Sequence, residues 1–425
     1  MKATCVSKID LGLAWSGNTL NTAIYRQGLC TRGGFQYAAF YTSARELVVV
    51  QRPLSGGEIK RVVLEGFAEL TDAHLTASIG VDGQGHVHVS YYHHNTPLRY
   101  RRTEKPHDLE SFGDPEPMTS CFERQVCYPF FLHPAGQGDA FYFLYRHGVS
   151  GNGEVRLKRY DTGTKIWCDD DLPILSGMLQ HPWTSNPYLQ TPLLDKQGRI
   201  HLFTTWRTHS LGERERVNNN NIDYLLSADG GRHWMTSRHQ PLRLPVTQVN
   251  SETAVAIAPG SNLMNQSGAA IDRTGTPLTV YYADDAHGIP QYHITRQREG
   301  AWETATISRR TEPFALEGGG TLQVPISRPE VLVLNDNRPL VLYRADSTGQ
   351  CLVAMILNES TLQPEEEYVL TDAVGFAEPV IDRMRWESEN VLSLYVQHSE
   401  QPLNEGRPGD VASEATLMDW VFQES

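Results

Sequence analysis

The chain has 425 residues, with 37 Lys and Arg against 50 Asp and Glu, a formal charge of −13 and 40 % hydrophobic residues. That length and apolar content allow a sizeable core, and large all-β folds of this size often run as one unit. The acidic balance argues against a general nucleic-acid binder, since phosphate contact needs a basic surface, but one local Arg can still dominate a pocket for an anionic substrate.

The start of the chain, Met1 to Asp10, carries no apolar h-region, and no apolar run approaches a membrane span. A cytoplasmic protein without membrane contact is therefore expected, or a secreted or periplasmic one if the start was trimmed. The six cysteines, at 5, 30, 121, 127, 168 and 351, form no CxxC array. Cys121 and Cys127 read as two buried free thiols rather than a bridge or a metal site. Sixteen histidines are many for this size, and several cluster at 86–94.

Long amphipathic helical windows are hard to find, whereas short alternating strands with Gly, Asp and Asn turns recur throughout. Between Asp72 and Tyr100 the sequence predicts a hairpin. Asp82, Gly83 and Gly85 supply its turn, and Val87, Val89 and Tyr91 alternate as on a half-buried strand. His74 and His94 stand 20 positions apart, enough for a strand out and a strand back. Both imidazoles are thus expected at one end of one sheet, where functional groups concentrate.

The same unit, a polar turn followed by an apolar strand, begins at Ser43, Asp82, Gly136, Asp195, Asp272, Asn335 and, more weakly, Glu387. Seven copies at intervals of a few tens of residues predict an all-β, seven-bladed β-propeller spanning 1–425 as a single domain. Ser227-Ala-Asp229-Gly-Gly231-Arg-His-Trp234 matches the Asp-box pattern S-x-D-x-G-x-x-W. Its Ser and Asp are expected to cap a turn and its Trp to pack between strands. The stretch after His398 reads as a polar loop. Met418 to Phe422 reads as a last strand, so segments near 1–20 and 415–425 are expected to lie together and close the ring.

Three further stretches hold candidate chemistry at strand–loop junctions. The first is Cys127-Tyr128-Pro129, followed by Tyr145-Arg146-His-Gly-Val-Ser-Gly-Asn-Gly153. The second is Asn186-Pro-Tyr188 with Arg199-Ile-His201 and Trp206-Arg207, and the third is Asn218 to Asn221, read as a loop tip. Here the chain resembles the BNR-4 propellers, a group that includes ulvan lyases and lyases cutting L-rhamnose-α-1,4-D-glucuronate ends of plant gums. The matching segments are Trp15-Ser-Gly-Asn18, Asp72-Ala-His74, His94 to Tyr100, Tyr128-Pro, Tyr145 to Gly153, Arg199-Ile-His201 and Trp206-Arg207. Ser227 to Trp234, Ser261 to Gln266, Arg328-Pro329 and Glu378-Pro379 with Asp382 continue the match nearly to the end.

The resemblance implies a site made of a His pair about twenty residues apart, a Tyr, an Arg and a further Tyr. These fall on His74, His94, Tyr128, Arg146 and Tyr188. Tyr128 and Arg146 lie 18 positions apart, slightly more than usual, and extra loop residues near Gly136 account for it. His93 adjoins His94, which leaves a second register for that position.

The chemistry suits these residue types. A β-eliminating lyase removes the C5 proton of a uronic acid, expels O4 and leaves an unsaturated uronate. Arg146 would hold the carboxylate and stabilise the enolate-like charge. His94 and Tyr128 would carry the two proton transfers in either order, provided burial and the Arg cation bring the Tyr pKa down. His74 would orient the acid group or help to neutralise it. Tyr188, Arg207, His93 and Asn219 would bind substrate, although Arg207 also reads as a structural ion pair. Trp206 and Trp183 read as core or as stacking platforms, and His201 as structural.

The partner expected is a uronic-acid-containing oligo- or polysaccharide, bound by a monomer. No cofactor is required, and a structural divalent cation is compatible with the His and Cys content. Two other readings stand beside the lyase. One is a sialidase-like glycoside hydrolase, disfavoured because no Arg triad is found. The other is a non-catalytic glycan-binding propeller, disfavoured by the full His, His, Tyr, Arg, Tyr set.

Overall fold

Short strands with one apolar face can bury it only against another sheet, and a ring of sheets gives every sheet two neighbours. The computed structural model describes residues 1–178, 184–208, 217–318, 320–403 and 406–424 and shows such an all-β propeller. Its first blade is Leu29–Arg32, Phe35–Tyr41, Glu46–Pro53 and Lys60–Phe67, paired in chain order. Ala269–Ile271 to Ala301–Thr306 and Glu330–Val333 to Pro364–Ala373 form two more antiparallel four-stranded blades. The sheets holding Val126–Leu132 and Ser185–Leu189 are larger, with six and seven strands.

Lys2–Trp15 pairs with Ala412–Gln423, which continues through Leu392–Val396 to Val380–Ile381. The two ends of the chain thus share one sheet, with Lys2 opposite Gln423 and Trp15 opposite Ala412.

The expectation of seven blades is corrected. Among the described residues, six sheets carry four or more strands and are complete blades, whereas Ala77–Val81, Val87–Tyr91 and Tyr100–Arg102 form a sheet of only three. The reason lies in the chain that follows the hairpin. His94–Thr96 leaves that sheet and pairs with Val126–Leu132 of the next one. Where a fourth strand would lie, Pro106, Pro115 and Pro117 interrupt the sequence, and a proline cannot donate to a ladder. Only the isolated bridge Thr103–Phe112 and the 3-10 turn Leu109–Ser111 stand there.

Apolar layers lie between neighbouring sheets. Tyr37 and Val49 of the first blade meet Ile79 and Val89, and Leu144 and Leu157 meet Leu202 and Trp234. Full burial of each such aliphatic side chain contributes about 1.5–3 kcal/mol. The turns are built by polar side chains. Asp82 accepts from the backbone of Gln84 and His86, and its carboxylate faces His88, whose other ring nitrogen lies 2.7 Å from the Tyr100 hydroxyl. Asp195, His201 and Tyr224 repeat this arrangement in another blade, so His201 is a buried structural residue. In the Asp box, Gly231 donates to Ser227 Oγ, Arg232 and His233 donate to Asp229 Oδ1, and the buried Trp234 returns its indole N–H to Gly231 O.

The copy expected as a turn at Glu387 is instead the end of a helix, Arg383–Glu389. Asp382 caps its first turn through Arg385 N, and Asn390 stops it in the left-handed region.

The first strands of the blades line the axis. Tyr25, Tyr128, Tyr188 and Gln266 line one pocket, and Leu29, Leu132, Leu194 and Ile271 line a neighbouring cavity of about 620 Å³. Ile24, Phe130, Thr191 and Pro192 border both cavities.

Candidate functional site

The hairpin places both histidines as expected. Ala77 pairs with Tyr91, so the residues before one and after the other share an end of the sheet. His74 precedes the first strand. His94 opens the strand that crosses to the next blade and lies opposite Cys127. Their rings stack with centroids 4.2 Å apart and planes 20° from parallel. Asp72 lies between them: His74 Nδ1 is 2.5 Å from Oδ1, and His94 Nδ1 pairs with Oδ2. The His74 backbone N–H also donates to Asp72 Oδ1, at 2.9 Å. One ligand atom from each of Asp72, His74 and His94 lies within 4.8 Å of the other two, close enough to hold a metal ion, as a structural cation would require.

Tyr128 comes from the neighbouring strand by way of a bulge. The register of Val126–Leu132 against Tyr142–Val149 shifts between Cys127 and Phe130, and Tyr128 sits at φ 53°. A left-handed Tyr in a strand is strained, and here the bulge turns its ring out of the ladder into the axial mouth. Tyr128 lies 6.1 Å from His74 and 5.8 Å from Tyr188, ring to ring. Arg146 stands over both phenols, 4.9 Å from the Tyr128 centroid and 5.7 Å from that of Tyr188. Its Nη2 donates to Asn95 Oδ1 and Cys127 Sγ, and its Nη1 donates to the Tyr188 hydroxyl. Arg146 is only 3 % exposed, and its Nε is buried with no hydrogen-bond partner among the described residues.

Arg207, half-buried, also stands over the Tyr188 ring, 4.8 Å from its centroid. Its guanidinium donates to Asn219 Oδ1 and Asn265 Oδ1.

Charge separates the two tyrosines. Burial pushes the Tyr128 hydroxyl up, and the Tyr188 charge adds to this against the pull of Arg146. This corrects the expectation that burial would help to lower it, since burial disfavours a phenolate. Burial also raises Tyr188, but Arg207 and Arg146 outweigh it and hold this phenol below its ordinary value. Burial lowers His74 despite its bond to Asp72. Asp72 is held far below the usual carboxylate range, because its hydrogen bonds to His74 and His94 more than offset its burial.

The remaining sequence candidates divide. His93 is fully buried between Ser90 and Arg99 and does not join the group. Asn219 is no loop tip: it lies in the strand Asn219–Ser227, buried, and bonds Leu263 O and Asn265. It therefore acts on Arg207 rather than offering an exposed contact. Trp206 is buried and donates to Asp223, which makes it core. Trp183 lies outside the described residues. Cys127 is buried and free, while Cys121, expected to be buried, is exposed.

Sequence reasoning missed Asp72 as a contact of both histidines, and it missed Tyr25. The Tyr25 ring lies 5.3 Å from Tyr128 and 6.0 Å from His74, and its hydroxyl donates to Ala73 O. Arg328, paired with Glu378, stands over the Tyr25 ring at 5.3 Å. Tyr25 precedes the first strand of a blade, as Gln266 does, and that shared placement was its only sequence signal.

In overall structure the chain is similar to the polysaccharide lyase Uly1, with a TM-score of 0.72, 11 % identity, and coverage of 98 % of this chain and 99 % of that one. It is also similar to a PL25 ulvan lyase, at TM-score 0.69 and 12 % identity over 93 % of this chain and 97 % of that one. The same kind of enzyme bound to -[GlcA(1-4)Rha3S]- gives a TM-score of 0.65 at 12 % identity, with the same coverage. At these identities the likeness shows a common propeller fold. No curated protein matches the chain in sequence. The sequence profile of the BNR repeat-containing family matches residues 35–310, more than half of the chain, and the protein therefore belongs to that family.

Proposed function

We propose that the protein is a polysaccharide or oligosaccharide lyase that cleaves a rhamnose–uronic acid bond of the Rha-α-1,4-GlcA type by β-elimination. The observation that carries this reading is the meeting, at one axial mouth, of the stacked His74–His94 pair with Tyr128, Arg146 and Tyr188. The folds shared with polysaccharide lyases support it at the level of the reaction class.

The geometry suggests a division of labour. Arg207, the more exposed guanidinium, takes the uronate carboxylate. Arg146, with its Nη atoms committed, stabilises the negative charge that develops as C5 loses its proton. His94 Nε2 accepts that proton. Tyr128, kept protonated by burial, donates its own to O4 as the C4–O4 bond breaks and the C4=C5 bond forms. Solvent then returns a proton to the Tyr128 phenolate and removes one from His94. Tyr188, with two guanidinium groups near its ring, binds the sugar.

The test is ultraviolet absorbance of the conjugated C4=C5 product, with ulvan oligosaccharides and with Rha-GlcA-capped gum arabic as substrates. Absorbance should rise with the wild-type protein and fall by about 10²-fold or more in rate with Tyr128→Phe. A rise unchanged by Tyr128→Phe would remove Tyr128 from proton transfer. No rise on either substrate would refute the proposed bond specificity.

A further inference from the structure

Both imidazoles of the pair turn Nδ1 toward one side chain, and that side chain is a carboxylate. Each nitrogen meets its own oxygen, His74 at Asp72 Oδ1 and His94 at Oδ2. The Asp72 carboxylate is itself tethered by the His74 backbone N–H. An ionised carboxylate only accepts hydrogen bonds, so each Nδ1 that faces it must carry a proton. In a neutral ring the other nitrogen, Nε2, is then a bare lone pair directed away from the carboxylate.

We propose that Asp72 is a positioning residue that fixes His74 and His94 together as Nδ1–H tautomers and presents their two Nε2 atoms to the substrate side of the mouth. One residue thereby sets the hydrogen-bonding state of two. The near-parallel stacking, 20° between planes, fits this arrangement better than chelation, because in-plane lone pairs of parallel rings do not converge on one ion. The side chains of Asp72, His74 and His94 are 36 %, 14 % and 28 % exposed, so the group is reachable from solvent. What the histidines then do rests on the lyase reading; their tautomers do not.

Asp72→Asn tests the idea sharply. An amide offers one acceptor and one donor, so it can satisfy only one Nδ1–H. The other ring must accept at Nδ1 and carry its proton on Nε2. Histidine labelled with 15N, read at neutral pH by long-range proton–nitrogen correlation in the intact protein, reports each tautomer. His74→Gln and His94→Gln assign the two signals. The wild type should show both rings protonated at Nδ1 only, and Asp72→Asn should move one ring to the Nε2–H pattern.

If the chain is a lyase, kcat should drop by about 10²-fold in Asp72→Asn with KM changed far less, and Asp72→Glu should recover part of it. Circular dichroism establishes that each variant is folded. A wild-type ring found with its proton on Nε2, or two unchanged tautomers in Asp72→Asn, would overturn the proposal. So would a wild-type spectrum altered by EDTA, which would show a cation in place of the protons. Loss of all activity on every glycan would count against the lyase reading and leave the tautomer result standing.

Discussion

A guanidinium buried against two phenols costs free energy unless its donors are used, and Arg146 commits its Nη atoms to Asn95, Cys127 and Tyr188. Lysine has no planar fork to serve three partners in different directions. Arg146→Lys is therefore expected to lower kcat by about 10²–10³-fold, measured as the initial rate of absorbance increase. Arg207→Ala should act differently. It removes the less buried of the two cations, so KM should rise by more than kcat falls. Equal losses in the two parameters would exclude Arg207 from ground-state binding. Most of these side chains could be named from sequence because the resemblance fixed residue types. Their division into buried and exposed could not, since it depends on a bulge at Tyr128 and on asparagines in another blade. Asp72 is a plain Asp in a loop until the fold brings His94, 22 positions later, to its second oxygen.

At the scale of elements, the repeated turn with its buried Asp and His is what acid should attack first. Burial pushes the Asp82 carboxyl up, but hydrogen bonds from His88 and from the backbone outweigh it and bring it down to about 2. A folded-state value below the ordinary one stabilises the native state above the ordinary carboxylate range, and this is lost as pH falls toward 2. The contribution is on the order of 2 kcal/mol. His88 acts in the same direction, because burial lowers it and the unfolded chain takes up its proton first. Urea unfolding at pH 6, 4 and 3 should show stability falling with acidity in the wild type. Asp82→Asn should be weaker at pH 6 and fall less steeply; a parallel decline would exclude this turn as the sensor. The Asp box is a second such element. Trp234→Ala should cost about 3–5 kcal/mol, read from the same denaturation curves. Both turns were legible in sequence, since their Asp, Gly and Ser positions are local. The helix Arg383–Glu389 was not: seven residues are too short to show a periodicity, and its cap depends on Asp382, which the tertiary fold buries.

For the whole molecule, the propeller could be read from recurrence, but the number of complete blades could not. Counting apolar strands cannot show that His94–Thr96 crosses to a neighbouring sheet, or that a proline-rich segment fails to supply a fourth strand. Closure of the ring was legible in outline and is extensive in fact. Deleting residues 2–15 would strip Ala412–Gln423 of its outer partner and leave a long bare edge. We expect that variant to aggregate and to lose its sharp thermal transition, as calorimetry and light scattering would show. The same pairing also has a mechanical consequence. Lys2 faces Gln423 and the strands run antiparallel, so both ends of the polypeptide leave from the same corner. A force pulling those ends apart would load the rungs of this ladder one at a time, like a zipper, rather than all together in shear. A ring that heat must melt as a whole would therefore open at low tension when stretched by its ends.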